Sequence, residues 1–214
     1  MDPEAMAAEY LSRNGTTDIG NDVSRAIDLI KEHPGALIGG FLLTCLVSFG
    51  LALVPLLGWF INWLIGGPIM GGLYYLYLRR IRGEDVAAGD VFAGFSLALV
   101  NLVLVAIVSH LLTAVGFFLC IVPGVYLAVG YVFAVPLVID KKLEFWTAME
   151  VSRRVVQRHW WTMFGLMIVA FLISIAGVLA CVIGIFFTIP VALAALMYAY
   201  EDLFRPGEAT AAVV

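Results

Sequence analysis

From Ala36 onward the hydrophobic positions of this chain come in unbroken blocks of about 20 residues, each long enough to cross the bilayer's hydrocarbon core as a helix. The blocks predict six spans, at residues 36–56, 59–78, 97–118, 122–139, 161–179 and 182–200. The links between the first and second, third and fourth, and fifth and sixth spans are short and uncharged, whereas the others are longer and charged. The pattern therefore predicts an all-α fold, a polytopic membrane protein with six transmembrane helices as three hairpins.

Each hairpin is preceded by a stretch with helical periodicity. In residues 22–33, Val23, Ala26, Ile27 and Ile30 share one face and Arg25, Asp28 and Glu32 the other, with Asn21 or Asp22 as the cap and Pro34 at the end. Residues 85–95 are read as the second stretch. In residues 144–159, Phe145, Ala148, Met149 and Val156 form an apolar side, and Glu150 and Arg154 make an i, i+4 pair. All three are expected as cytoplasmic interfacial amphipathic helices.

The even-numbered spans carry Pro68, Pro123 and Pro190, each followed by tyrosine: Tyr74, Tyr75 and Tyr77, then Tyr131, then Tyr198 and Tyr200. The unit of helix, span, tight turn and proline-bearing span thus recurs three times, an internal repeat with a helix kink expected at each proline. Gly67 and Gly71 form a small-xxx-small pair suited to close helix packing. The domain reading is a polar disordered tail over 1–20, a six-helix membrane domain over 21–204 and a C-terminal tail over 205–214. The polar opening is no signal peptide, and Met6 offers an alternative start, so the sequence assigns residues 1–5 no role.

Composition agrees with lipid as the main solvent: 63% of the 214 residues are hydrophobic, 13% are charged and the mean hydropathy is +1.02. All twelve bases fall on one side of the predicted spans: Arg13, Arg25 and Lys31; Arg79, Arg80 and Arg82; Lys141, Lys142, Arg153, Arg154 and Arg158; and Arg205. By the positive-inside rule both termini are expected in the cytoplasm. A net charge of -4 gives no case for nucleic-acid binding. Cys45, Cys120 and Cys181 are scattered, so no zinc site or disulfide framework is signalled and buried thiols are expected, with a Cys120–Cys181 disulfide left open.

Two groups of residues carry candidate chemistry. Arg153, Arg154, Arg158 and His159, followed by Trp160 and Trp161, read as a segment in the headgroup layer that contacts anionic lipid. At membrane depth the one ionisable side chain is His110, with Ser109 beside it and Thr113 three residues on; Asn101 and Asn62 are the other polar candidates for a small cavity. No enzyme motif, metal-ligand set or cofactor site is present, so catalytic and metal residues are read as none. The acid pairs Glu84-Asp85 and Glu201-Asp202 are read as solvated span ends.

Arg82-Gly83-Glu84 followed by Asp90-Val91-Phe92-Ala93-Gly94-Phe95, the run from Ile121 to Leu127, and Ala148-Met149-Glu150-Val151-Ser152 leading to His159-Trp160-Trp161 resemble a widespread family of bacterial six-helix inner-membrane proteins. That family is related to the membrane domain attached to some glycerophosphodiester phosphodiesterases. The resemblance implies a fold and a location, the bacterial inner (cytoplasmic) membrane. It carries over no catalytic residue, because nothing in the chain is similar to the soluble phosphodiesterase domain, and a polar tail stands where some relatives carry a cytoplasmic adaptor domain. The expected function is a non-enzymatic membrane module for lipid interaction, membrane organisation or an accessory subunit, with membrane lipids, a second copy or a membrane protein as partner. The alternative is a small channel or transporter with a pore near His110.

Overall fold

A computed structural model describes residues 2–13, 15–54, 57–179 and 184–205. Regular structure among the described residues is entirely helical: α1 Pro3–Ser12, α2 Ile19–Glu32, α3 Pro34–Ala52, α4 Leu57–Ile81, a 3-10 turn Ala88–Phe92, α5 Ala93–Leu97, α6 Leu99–Leu119, α7 Ile121–Gly130, α8 Ala134–Lys141, α9 Phe145–Arg158, α10 Trp160–Leu179 and α11 Ile185–Phe204. Five stretches are long and apolar enough to cross a membrane, Pro34–Ala52, Leu99–Leu119, Ile121–Lys141, Trp160–Leu179 and Ile185–Phe204, as in a multi-pass membrane protein. The remaining predicted span, 59–78, falls in α4. At 25 residues α4 is long enough, but Asn62, five glycines, Pro68 and, at its end, Arg79 and Arg80 make it the least apolar of the long helices.

The N-terminal region departs from the expected disordered tail. Asp2 accepts the Glu4 amide at 3.0 Å and Pro3 occupies the first helical position, two features that start α1. Its Ala7 is buried and Tyr10 meets the edge of Phe204, 5.1 Å between centroids, so docking against α9 and α11 stabilises a helix too short to persist alone. The cap of α2 is Asp18, which accepts the Asn21 amide at 3.0 Å, rather than Asn21 or Asp22. Residues 85–95 are no amphipathic helix either: they form the 3-10 turn and the short α5, pinned where Asp90 accepts from the Ala87 amide and from Arg79, both at 3.1 Å.

Consecutive long helices pack on one another, α3 on α4, α6 on α7 and α10 on α11. Half of the apolar window of α11 is buried but only 17% of that of α10, so α11 faces inward and α10 outward. At the end that carries the charges, Tyr200 and Phe204 of α11 pack edge-on against Phe133, and Tyr77 of α4 and Leu137 of α8 are fully buried in the same core. Away from it, α3, α6 and α10 expose Phe49, Leu53, Val115, Phe118, Phe171 and Leu179, an apolar belt of the kind that lipid covers.

The prolines divide into two kinds. Pro68 and Pro190 stand inside α4 and α11, which continue on both sides. Pro123 lies in the first turn of α7, where its missing amide leaves no internal bond unmade, and so is no kink. The stretch 121–141 is interrupted instead between Gly130 and Ala134, where Ser152 of α9 donates to the Gly130 carbonyl at 2.8 Å and accepts the Phe133 amide at 3.2 Å. Cys120 is exposed rather than buried, and Cys181 lies outside the described residues.

Candidate functional site

Glycine lets α4 and α6 meet and then leaves a gap between them. A Cβ on Gly67 would stand 2.3 Å from the Leu102 carbonyl oxygen, so only glycine permits this crossing. One residue earlier, nothing lies within 4 Å of where a Gly66 Cβ would be. There a cleft of about 370 Å³ opens, lined from α4 by Asn62, Trp63, Gly66, Met70 and Tyr74, from α6 by Ala106, Ile107 and His110, and from α8 by Val135. A second hollow of about 430 Å³ continues past His110 between α6 and the α7–α8 region, where Ser109, Thr113, Phe117 and Tyr131 line it. Tyr74, His110 and Val135 border both, so the imidazole stands at their junction.

His110 Nδ1 lies 2.5 Å from the Ala106 carbonyl, and because a carbonyl only accepts, the proton of that bond is on Nδ1. Ser109 likewise donates its hydroxyl to the Val105 carbonyl at 2.5 Å. Asn62 lines the cleft. Asn101 lines neither hollow: nine residues at about 100° each turn it to the opposite side of α6 from His110. Neither lining holds Asp, Glu, Lys or Arg. His110 is exposed and Trp63 is 47% exposed, so the cleft opens on the flank of the molecule, while the buried core around Phe133 closes the charged end. Among the described residues no three His, Cys, Asp or Glu side chains come together as a metal site.

The basic segment is more neutral than its sequence suggests. Arg153 and Arg154 both bond Glu150, at 2.7 and 2.6 Å, and Arg154 also reaches Glu4 of α1. The Arg153 bond, ahead of the opposing effect of burial, holds the Glu150 carboxyl below its usual range. His159 is pushed below the ordinary imidazole value by burial and then by the charge of Arg158. Three guanidiniums, Arg153, Arg154 and Arg158, against two carboxylates, Glu4 and Glu150, leave one net positive charge. Trp160 is stacked on Phe164 at 5.0 Å, while Trp161 is 79% exposed.

Two ionic nodes tie the charged end together, and both correct the reading of Glu201-Asp202 as a solvated pair. Arg82 bonds Asp140 at 2.6 Å and Glu201 at 2.5 Å, with the two carboxylates only 5% and 2% exposed, and Tyr200 donates to Asp140 at 2.9 Å. Arg25, expected on the solvent face of α2, bonds Asp22 at 2.6 Å and both oxygens of Asp202, and lies over the Tyr198 ring. Asp22 is wholly buried. Burial pushes its carboxyl up to about 7; the Arg25 bond acts against that rise and the Asp202 charge adds to it. The available sequence signal was positional for Arg82, just past α4, and for Glu201 and Asp202, in the last turn of α11, whereas Asp22 and Arg25 lie inside α2; sequence does not reveal which of these meet.

No family model, curated protein or solved structure matches this chain, so the site is read from its own residues.

Proposed function

We propose that this chain is a non-enzymatic inner-membrane module of six spans in three hairpins, with both termini cytoplasmic, that takes up a lipid from the side into the cleft between α4 and α6. The observation that carries the reading is the cleft's form: open on the flank, walled by Trp63, Met70 and Ile107, with Asn62, Tyr74 and His110 bringing polar groups. An amphiphile satisfies such a surface with chain and headgroup together, and the volume falls within the ~300–1,000 Å³ of small-ligand sites. The helix pairs α3 on α4, α6 on α7 and α10 on α11 support the hairpin arrangement, with α4 as the sixth span. Closure at the charged end disfavours a pore, which needs a polar path from face to face. With one net charge left on the basic segment of α9, anionic headgroups there are the lesser attraction.

The test is retention of lipid through detergent purification, read by native mass spectrometry. Gly66→Trp fills the cleft, and Gly50→Trp adds the same ring on α3, where the space is equally open. Lipid should remain on the parent chain and on Gly50→Trp and be lost from Gly66→Trp; equal retention by both variants, or none by the parent, would sink the proposal.

A further inference from the structure

The hydrogen-bonding inventory of the cleft restricts what headgroup it accepts. His110 has spent the Nδ1 proton on Ala106, and in the neutral ring Nε2 is then a bare acceptor. Ser109, on the adjoining side, has spent its proton on Val105 and has only lone pairs left to offer. A ligand group that bonds either atom must therefore bring a proton donor, whereas Asn62, Trp63 and Tyr74 offer N–H and O–H groups of their own to a ligand's acceptors. An ester or phosphodiester, with acceptors alone, meets those donors but leaves His110 Nε2 unmatched. A charged headgroup fares worse still: neither hollow has an ionised side chain to pair with it, and an unpaired charge in an apolar surround is strongly disfavoured. The nearby guanidiniums are already engaged, Arg153 with Glu150 and Arg82 with Asp140 and Glu201.

We infer that the cleft selects a neutral amphiphile with a free hydroxyl, of the diacylglycerol or long-chain alcohol class, whose O–H is received by His110 Nε2 while Asn62 offers the amide partner for its remaining polar atoms. This rests on the reading of the cleft as a lipid site. Trp63, Met70 and Ile107 supply the surface for the chain, and Gly66 the room beside it.

The experiment uses the full chain in phosphatidylcholine nanodiscs doped with one of three photoactivatable probes that share their acyl chains: a diacylglycerol, its acetate ester and its phosphate ester. Labelled peptides are mapped after irradiation. The diacylglycerol should label residues 62–74 and 106–114 about tenfold more than either capped probe, the discrimination expected of roughly one hydrogen bond. His110→Phe should lower that labelling to the level of the acetate, and His110→Gln, which keeps an acceptor, should restore part of it. A phosphate or acetate probe that labels the same peptides as strongly overturns the hydroxyl assignment and leaves the lipid site standing. Labelling by His110→Phe equal to the parent overturns it too, since His110 is exposed and its loss leaves no cavity in the core. If no probe labels these peptides, the lipid site itself falls.

Discussion

Asp22 is wholly buried, and its Oδ2 has no hydrogen-bond partner among the described residues. With Arg25 set between it and Asp202, the cluster holds two carboxylates against one guanidinium, and one proton would bring it to neutrality. That proton belongs on Asp22, whose carboxyl rises from 3.8 to about 7 through burial first. An acid with a raised folded value holds its proton more tightly in the fold than in the unfolded chain. Its contribution to stability is therefore full below 3.8 and is lost as pH rises toward about 7, with a slope of at most ~1.4 kcal/mol per pH unit. Glu150, held low, acts with the opposite sign, so the whole profile mixes both. The difference between Asp22→Asn and the parent isolates the first. Melting temperatures in detergent should show the variant gaining on the parent from about pH 4 to about pH 7 and the gap levelling off above. A gap that is flat with pH would mean that Asp22 is ionised throughout.

At the scale of elements, close approach between backbones decides which segments stay put. A Cβ on Gly72 of α4 would stand 1.7 Å from the Val91 carbonyl oxygen, a contact that only displacement of the turn Ala88–Phe92 relieves. Gly72→Ala should therefore lose about 3 kcal/mol in thermal unfolding, at the upper end of overpacking effects and despite alanine's better helix propensity. Gly66→Ala, with open space around it, should be neutral or gain up to about 1 kcal/mol. Equal effects at the two positions would refute the packing argument. The same contrast explains what sequence reading reached. Block hydrophobicity announces α3, α6 and α10 because lipid-facing surfaces accept almost any apolar side chain. It says little about α1, which forms because Tyr10 finds Phe204, or about the 3-10 turn that rests on Gly72. His110 and Asn62 were legible as polar residues in apolar blocks. That Asn101 faces away follows from helical phase, which could have been read, whereas the crossing at Gly67 that makes the cleft required the fold.

At the scale of the whole molecule, α4, α8 and α11 are joined by one charged node at the end that carries the bases. Arg82 follows α4, Asp140 closes α8 and Glu201 lies near the end of α11, so three segments distant in sequence meet on one guanidinium. Each was foreseeable as a charge at a span end; their meeting was not, since three such ends can be paired in several ways with the same composition. The node is held by geometry rather than by net attraction alone, because desolvating the charges offsets much of what their pairing gains. Its removal is therefore asymmetric. Arg82→Met leaves Asp140 and Glu201 buried beside each other with Lys141, 3.3 Å from Asp140, as a partial counter-charge, an expected loss of about 3 kcal/mol, the low end for a broken buried pair. Neutralising the carboxylates as well, with Asp140→Asn and Glu201→Gln added to Arg82→Met, removes the stranded charge and should recover part of that loss, leaving a deficit of about 1–2 kcal/mol for hydrogen bonds no longer made. Thermal unfolding of the single and triple variants in one detergent compares them directly. A triple variant no more stable than the single one would mean that the three helix ends depend on the specific bonds of Arg82 and not on the balance of charge, and an Arg82→Met chain as stable as the parent would show that the buried aromatic core around Phe133 holds α4, α8 and α11 together unaided.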